Sequence, residues 1–102
     1  MKDKKDTGAA VELLNITVGN KTYPCRVTLG AILGLKHSTG KDVSEIGTDL
    51  CLMTSFLHEC VKSACRADDV KFDMTLIEFA DRVELPALTA FAEGLQKKTT
   101  VK

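Results

Sequence analysis

From Val11 to Thr28 the chain reads VELLNITVGNKTYPCRVT, and apolar residues alternate on either side of Gly19-Asn20. Alternation at period two is the pattern of a strand with one buried face, and a two-residue loop with glycine first suits a type II′ hairpin turn. The pairing that follows sets Val18 opposite Lys21, Ile16 opposite Tyr23 and Leu14 opposite Cys25. Leu14, Ile16, Val18, Tyr23, Cys25 and Val27 then share one apolar face. Pro24 falls at a non-hydrogen-bonded position in that register. Its missing N–H would have pointed away from the partner strand, so the outer edge of its strand is expected to be unpaired there.

Beyond Thr28 the apolar spacing changes to that of helices. A first helix, Leu29 to about Ser38, has Thr28 as its cap, a short stripe of Leu29, Ile32 and Leu33, and Gly40 at its end. Gly30 and Gly34 each weaken it by about 1 kcal/mol relative to alanine, so packing must stabilise it. Their spacing would let another backbone approach closely, but the reading preferred for a water-soluble chain places them on the solvated side. GKDVSEIGT turns the chain, and Thr48 is the expected cap of the longest helix, about Asp49 to Arg66. Its Leu50, Leu52, Met53, Phe56, Leu57, Cys60, Val61 and Ala64 cover about half the circumference at 100° per residue, so more than one neighbour must pack on it. A third helix is expected from about Met74 with Asp73 as cap, presenting Leu76, Phe79, Ala80 and Val83. Pro86 fits the first turn of a fourth, which presents Leu88, Phe91, Ala92 and Leu95.

The resulting expectation is one α+β domain, mostly helical, with an N-terminal β-hairpin followed by about four helices over residues 11–96. Residues 1–10 lack periodic apolar positions and read as a flexible leader, and residues 97–102 read as a flexible polar tail. At 102 residues there is room for a single hydrophobic core. Lysine plus arginine equals aspartate plus glutamate, 14 against 14, so no global field would gather nucleic acid or an anionic membrane. No apolar run approaches the roughly 20 residues that span a bilayer, and the charged start lacks the apolar stretch of a signal peptide. Cys25, Cys51, Cys60 and Cys65 lie in apolar or helical stretches and read as reduced thiols in a cytoplasm.

Three chemical constellations can be weighed. In HECVKSAC, His58, Cys60 and Cys65 with Cys51 invite a zinc site. Cys51, His58 and Cys65 are seven residues apart, however, and so stand about 10 Å apart along a helix axis, too far to converge on one tetrahedral ion. A cysteine nucleophile with His37 or His58 has no accompanying motif, and no phosphate loop or HExxH is present. The first two helices could imitate a helix-turn-helix, the basis of an alternative reading as a small DNA-binding regulator of a phage or mobile element. Yet the helix that would enter the groove opens Asp49-Leu50-Cys51-Leu52-Met53, acidic and apolar where base and phosphate contacts need cations or amides. No catalytic residue, metal or cofactor is expected. What remains is apolar surface suited to binding another chain.

The order of these features resembles the small tail assembly chaperones of long-tailed bacteriophages and prophages, over roughly Val11 to Leu95. The carriers are the strand pair leading into TLGAILGLKHSTGKDVSEI, similar to the family's opening helix and turn, then the long apolar helix, then the acidic-capped region KFDMTLIEFAD. The Lys97-Lys98 pair also suits an A-rich slippery codon run, as the family's longer frameshifted product would use. The resemblance implies a chaperone that binds the long, helical tape measure protein and keeps it soluble while tail tube subunits assemble around it. It further implies residence in the host bacterial cytoplasm and absence from the finished virion. The major tail tube protein and a second copy of the chain are further candidate partners; membrane and nucleic acid are not. The contact surface is expected on the second helix at Leu52, Met53, Phe56 and Cys60.

Overall fold

A computed structural model describes the backbone of residues 14–100 and the side chains of residues 15–95, so the expected leader at residues 1–10 lies outside the described residues. The chain opens with an antiparallel hairpin of β1 (Leu14–Val18) and β2 (Lys21–Cys25). The register is the one that alternation dictates: Leu14 opposite Cys25, Ile16 opposite Tyr23 and Val18 opposite Lys21. Gly19 turns the corner at φ 65°, a conformation that favours glycine, whereas Asn20 keeps a negative φ as a type II′ turn requires. Ile16, Val18, Tyr23 and Cys25 are buried on the inner face.

Four helices follow: α1 (Leu29–Thr39), α2 (Leu50–Asp68), α3 (Leu76–Arg82) and α4 (Leu85–Thr100), with a single 3-10 turn at Val43–Glu45 between the first two. Together with the hairpin they form the mostly helical α+β domain expected from the sequence. Thr28 caps α1, its hydroxyl accepting from the Ala31 N–H at 3.0 Å, and Gly40 ends the helix at φ 78°. Two other caps differ from expectation. Asp49 rather than Thr48 caps α2, accepting from the N–H groups of Cys51 and Leu52. Thr75 rather than Asp73 caps α3, in a reciprocal box with Glu78 that satisfies two otherwise orphaned donors. The longer helix α4 continues to Thr100, into the stretch expected as a polar tail.

The core is organised around α2. Phe56, Leu57, Cys60, Val61 and Ala64 have no exposed surface, because α1, β2, α3 and α4 all pack against this helix. Leu35 and Ala31 come from α1, Val18 and Cys25 from the hairpin, Phe79 from α3, and Leu88 and Phe91 from α4. Each fully buried leucine or phenylalanine contributes about 1.5–3 kcal/mol relative to exposure. At one end His58 sits among aromatic rings, 5.0 Å from Phe79 and 5.7 Å from Phe72 between centroids, while Phe72 meets Tyr23 edge-on at 5.0 Å.

The inward face of α1 corrects the expected one. Leu29 and Leu33 point to solvent, 74% and 57% exposed, while Ala31 and Leu35 are buried. Gly30 and Gly34 lie along the contact with α2: a Cβ on Gly30 would stand 3.1 Å from the Ser63 hydroxyl, and one on Gly34 would collide with the Glu59 carboxylate. The glycines are therefore the close-approach pair rather than weak formers on a solvated side. Sequence spacing misled because α1 is apolar nearly all round, which leaves no polar face to mark the outside.

Candidate interaction surface

The residues singled out for metal or nucleophile chemistry are drawn apart or into the core. His58 is buried, and its Nε2–H donates to the Met74 carbonyl at 3.0 Å, joining α2 to the segment before α3. Burial lowers its pKa, an effect that the bond to Met74 partly offsets. Cys60 is buried; a hydrogen bond with the Cys25 sulfur, together with burial, pushes its thiol far above the ordinary range. Burial likewise raises the thiol of Cys65. A thiol held protonated is a poor nucleophile and a poor metal ligand. Cys51 lies on the surface, and all four cysteines are free. Among the described residues no three His, Cys, Asp or Glu side chains gather as a metal site would need. No helix among them is long and apolar enough to cross a membrane.

Helix α2, which would have to enter a DNA groove in a helix-turn-helix, is buried over most of its circumference by its own neighbours. Entry into a groove requires an exposed helix, so the geometry offers that reading no support. The same burial bears on the expected partner surface. Phe56 and Cys60 are fully buried and Met53 is 9% exposed, so in this conformation they fill this chain's own core. Met53 lines a shallow cleft with Leu50, Leu88 and Ala92 at the start of α2, and Leu52 alone of the four keeps substantial accessible surface. The breadth of the apolar stripe was legible in the sequence. That four neighbours would cover it was not.

The accessible apolar surface lies elsewhere. Leu29 and Leu33 are one turn apart on α1 and so stand side by side, opposite the face that packs on α2. Lys36 and His37 continue the same exposed side toward the C-terminal end of the helix, with Lys36 3.9 Å from Asp42 in a loose, exposed ion pair. Along the glycine flank Glu59 is 8% exposed and 3.4 Å from Lys62. The absence of a Cβ at Gly34 leaves the space the Glu59 carboxylate occupies, and the glycine pair thereby positions α1 close to α2 with its leucines outward. Ile77 on α3 and Leu85 at the start of α4 are also exposed, at 69% and 60%.

At the far end of the hairpin sheet Arg26 and Asp68 form a two-pronged ion pair at 2.8 and 3.2 Å, holding the exit of β2 to the last turn of α2. That bond keeps the Asp68 carboxyl below its usual range. No protein-family model, curated protein or solved structure matches the chain.

Proposed function

We propose that this protein acts by contact rather than catalysis, as a chaperone that covers apolar helical segments of a tape measure protein during phage tail assembly. The observation that carries the contact reading is α1: a helix apolar on both sides, one side packed on α2 and the other presenting Leu29 and Leu33 to solvent. A helix built this way is suited to having a second neighbour, and a helical groove or face recognises apolar stripes with modest demands on sequence. The tail-assembly reading is supported by the resemblance carried in TLGAILGLKHSTGKDVSEI and KFDMTLIEFAD. Action in the host cytoplasm and absence from the virion belong to the same proposal.

The test is co-expression with a tape measure protein, followed by co-purification at low and high salt. The wild type is expected to hold the partner in a soluble complex that survives high salt, because an apolar interface is not screened. Leu29→Asp combined with Leu33→Asp is expected to lose the complex while staying folded with a melting temperature within a few degrees of wild type, since both side chains are more than half exposed. A double variant that solubilises the partner as well as the wild type would remove the contact from α1. A wild type that leaves the partner insoluble would remove the chaperone reading itself.

A further inference from the structure

Among the described residues, strand β1 has a strand partner on one side only. Val18 and Lys21 flank the two-residue turn and exchange backbone hydrogen bonds, and so do Ile16 and Tyr23 further along. The N–H and C=O groups of Asn15, Thr17 and Gly19 therefore point away from β2. Gly19 uses its outward N–H, donating to the Arg82 carbonyl at 3.3 Å. Among the described residues no backbone group pairs with the outward groups of Asn15 and Thr17.

An open cleft of about 440 Å³ runs beside these two residues. Ile16 and Leu57 line it on the core side, and Ala87, Ala90 and Phe91 of α4 line it opposite β1. Two alanines where larger side chains would fill the gap leave room for a chain to lie against the strand. From Asn15 to Gly19 the edge is about 13 Å long at roughly 3.3 Å per residue, enough for four to five residues.

We infer that this cleft binds an extended peptide segment of a partner protein, added to the edge of β1 as a third strand with every second side chain apolar. The backbone chemistry of the cleft selects that occupant. A helix consumes its own N–H and C=O groups and offers none to Asn15 and Thr17, whereas an extended chain presents both at the strand's own spacing. Alternate side chains of such a strand face Ala87, Ala90 and Phe91, which favours residues of the size of valine or threonine there, and the intervening ones face water. Arg82 already supplies the first rung, and Val83 after it is extended at φ −89°, ψ 130°, so the ladder has a defined end against which the register is set. This surface is separate from the leucines of α1 and implies a second mode of recognition, for strand rather than helix.

The experiment uses the full chain labelled with nitrogen-15, titrated to millimolar concentration with the blocked peptide Thr-Val-Thr-Val-Thr. Controls are the same peptide N-methylated at alternate residues and a helical Glu-Ala-Ala-Ala-Lys repeat. The blocked peptide is expected to shift the amide signals of Asn15, Thr17, Ala87 and Ala90 and to slow exchange of the Asn15 and Thr17 amides about tenfold or more. Thr17→Pro removes an outward donor without taking a bond from β2, and Ala90→Lys closes the cleft from an exposed position; each is expected to weaken binding at least about tenfold. The inference is overturned if the Asn15 and Thr17 signals do not respond, if the methylated or helical peptide binds as well, or if both variants bind like wild type. It is equally overturned if those amides are already protected without peptide, which would place a second copy or this chain's own residues 1–13 on the edge.

Discussion

Gly34 and Glu59 share one space. A methyl group on Gly34 must displace the Glu59 carboxylate, which is nearly buried and paired with Lys62, although its end can swing outward. Overpacking of this kind costs about 1–3 kcal/mol, while alanine gains about 1 kcal/mol over glycine in a helix. Gly34→Ala is therefore expected to destabilise the wild type but to stabilise a Glu59→Ala background by about 1 kcal/mol, measured as a double-mutant cycle in urea. Additive effects would show that the two residues do not compete. His58 is the second residue with a measurable signature. Its folded pKa lies below the ordinary 6.5, so the unfolded chain takes up a proton as pH falls through that value and the folded chain does not. Stability is full above the unfolded value, declines as pH drops from about 7 into the window between the two values, and levels off below the folded one. The urea midpoint should fall as pH is lowered from about 7 through the ordinary imidazole range, and His58→Gln should flatten that decline. Parallel declines in the two proteins would assign the effect to other groups.

At the scale of elements, caps and faces show what local sequence can and cannot decide. Thr75 and Asp73 both precede the apolar run of α3, and both are residue types that cap. The structure selects Thr75 because only it has a glutamate three residues on, Glu78, to close the box with its own N–H. Thr75→Ala is expected to cost about 1 kcal/mol in thermal or chemical unfolding, whereas Asp73→Ala should cost only a few tenths. Equal costs would argue that the first turn of α3 is held by packing alone. Helix α1 is the harder case. Its apolar residues lie on both sides, so periodicity offers two candidate inner faces, and the smaller residues won. Ala31, Gly30 and Gly34 let α1 come close to α2, which buries Leu35, at the expense of leaving Leu29 and Leu33 outside.

For the whole molecule, α2 works as the central strut. Because it is covered on several sides, the residues with the most apolar character on this helix are the least available for contact with another protein. Phe56 and Cys60 are the clearest examples, and replacing Phe56 by a charged residue would test folding rather than binding. On the proposed reading, binding falls to the periphery, to the outward leucines of α1 and the edge of β1 that no described strand pairs, at surfaces that α2 supports without presenting itself. The Leu29→Asp, Leu33→Asp variant and the Thr17→Pro variant probe these two surfaces separately, and loss at one should leave the other intact.

The hairpin was legible almost residue by residue, since period two with a glycine at the turn admits one register that buries Ile16, Val18, Tyr23 and Cys25 together. The existence and order of the four helices were legible too, because their apolar spacing is local. Which side of α1 faces inward, how many neighbours cover α2 and where His58 finds its carbonyl depend on contacts between residues far apart in the chain. Tertiary packing decided those, through the space a missing Cβ leaves at Gly34 and the need of a buried imidazole for a hydrogen-bond partner. Local spacing says that a surface is apolar; only the assembled core decides whether that surface is still exposed.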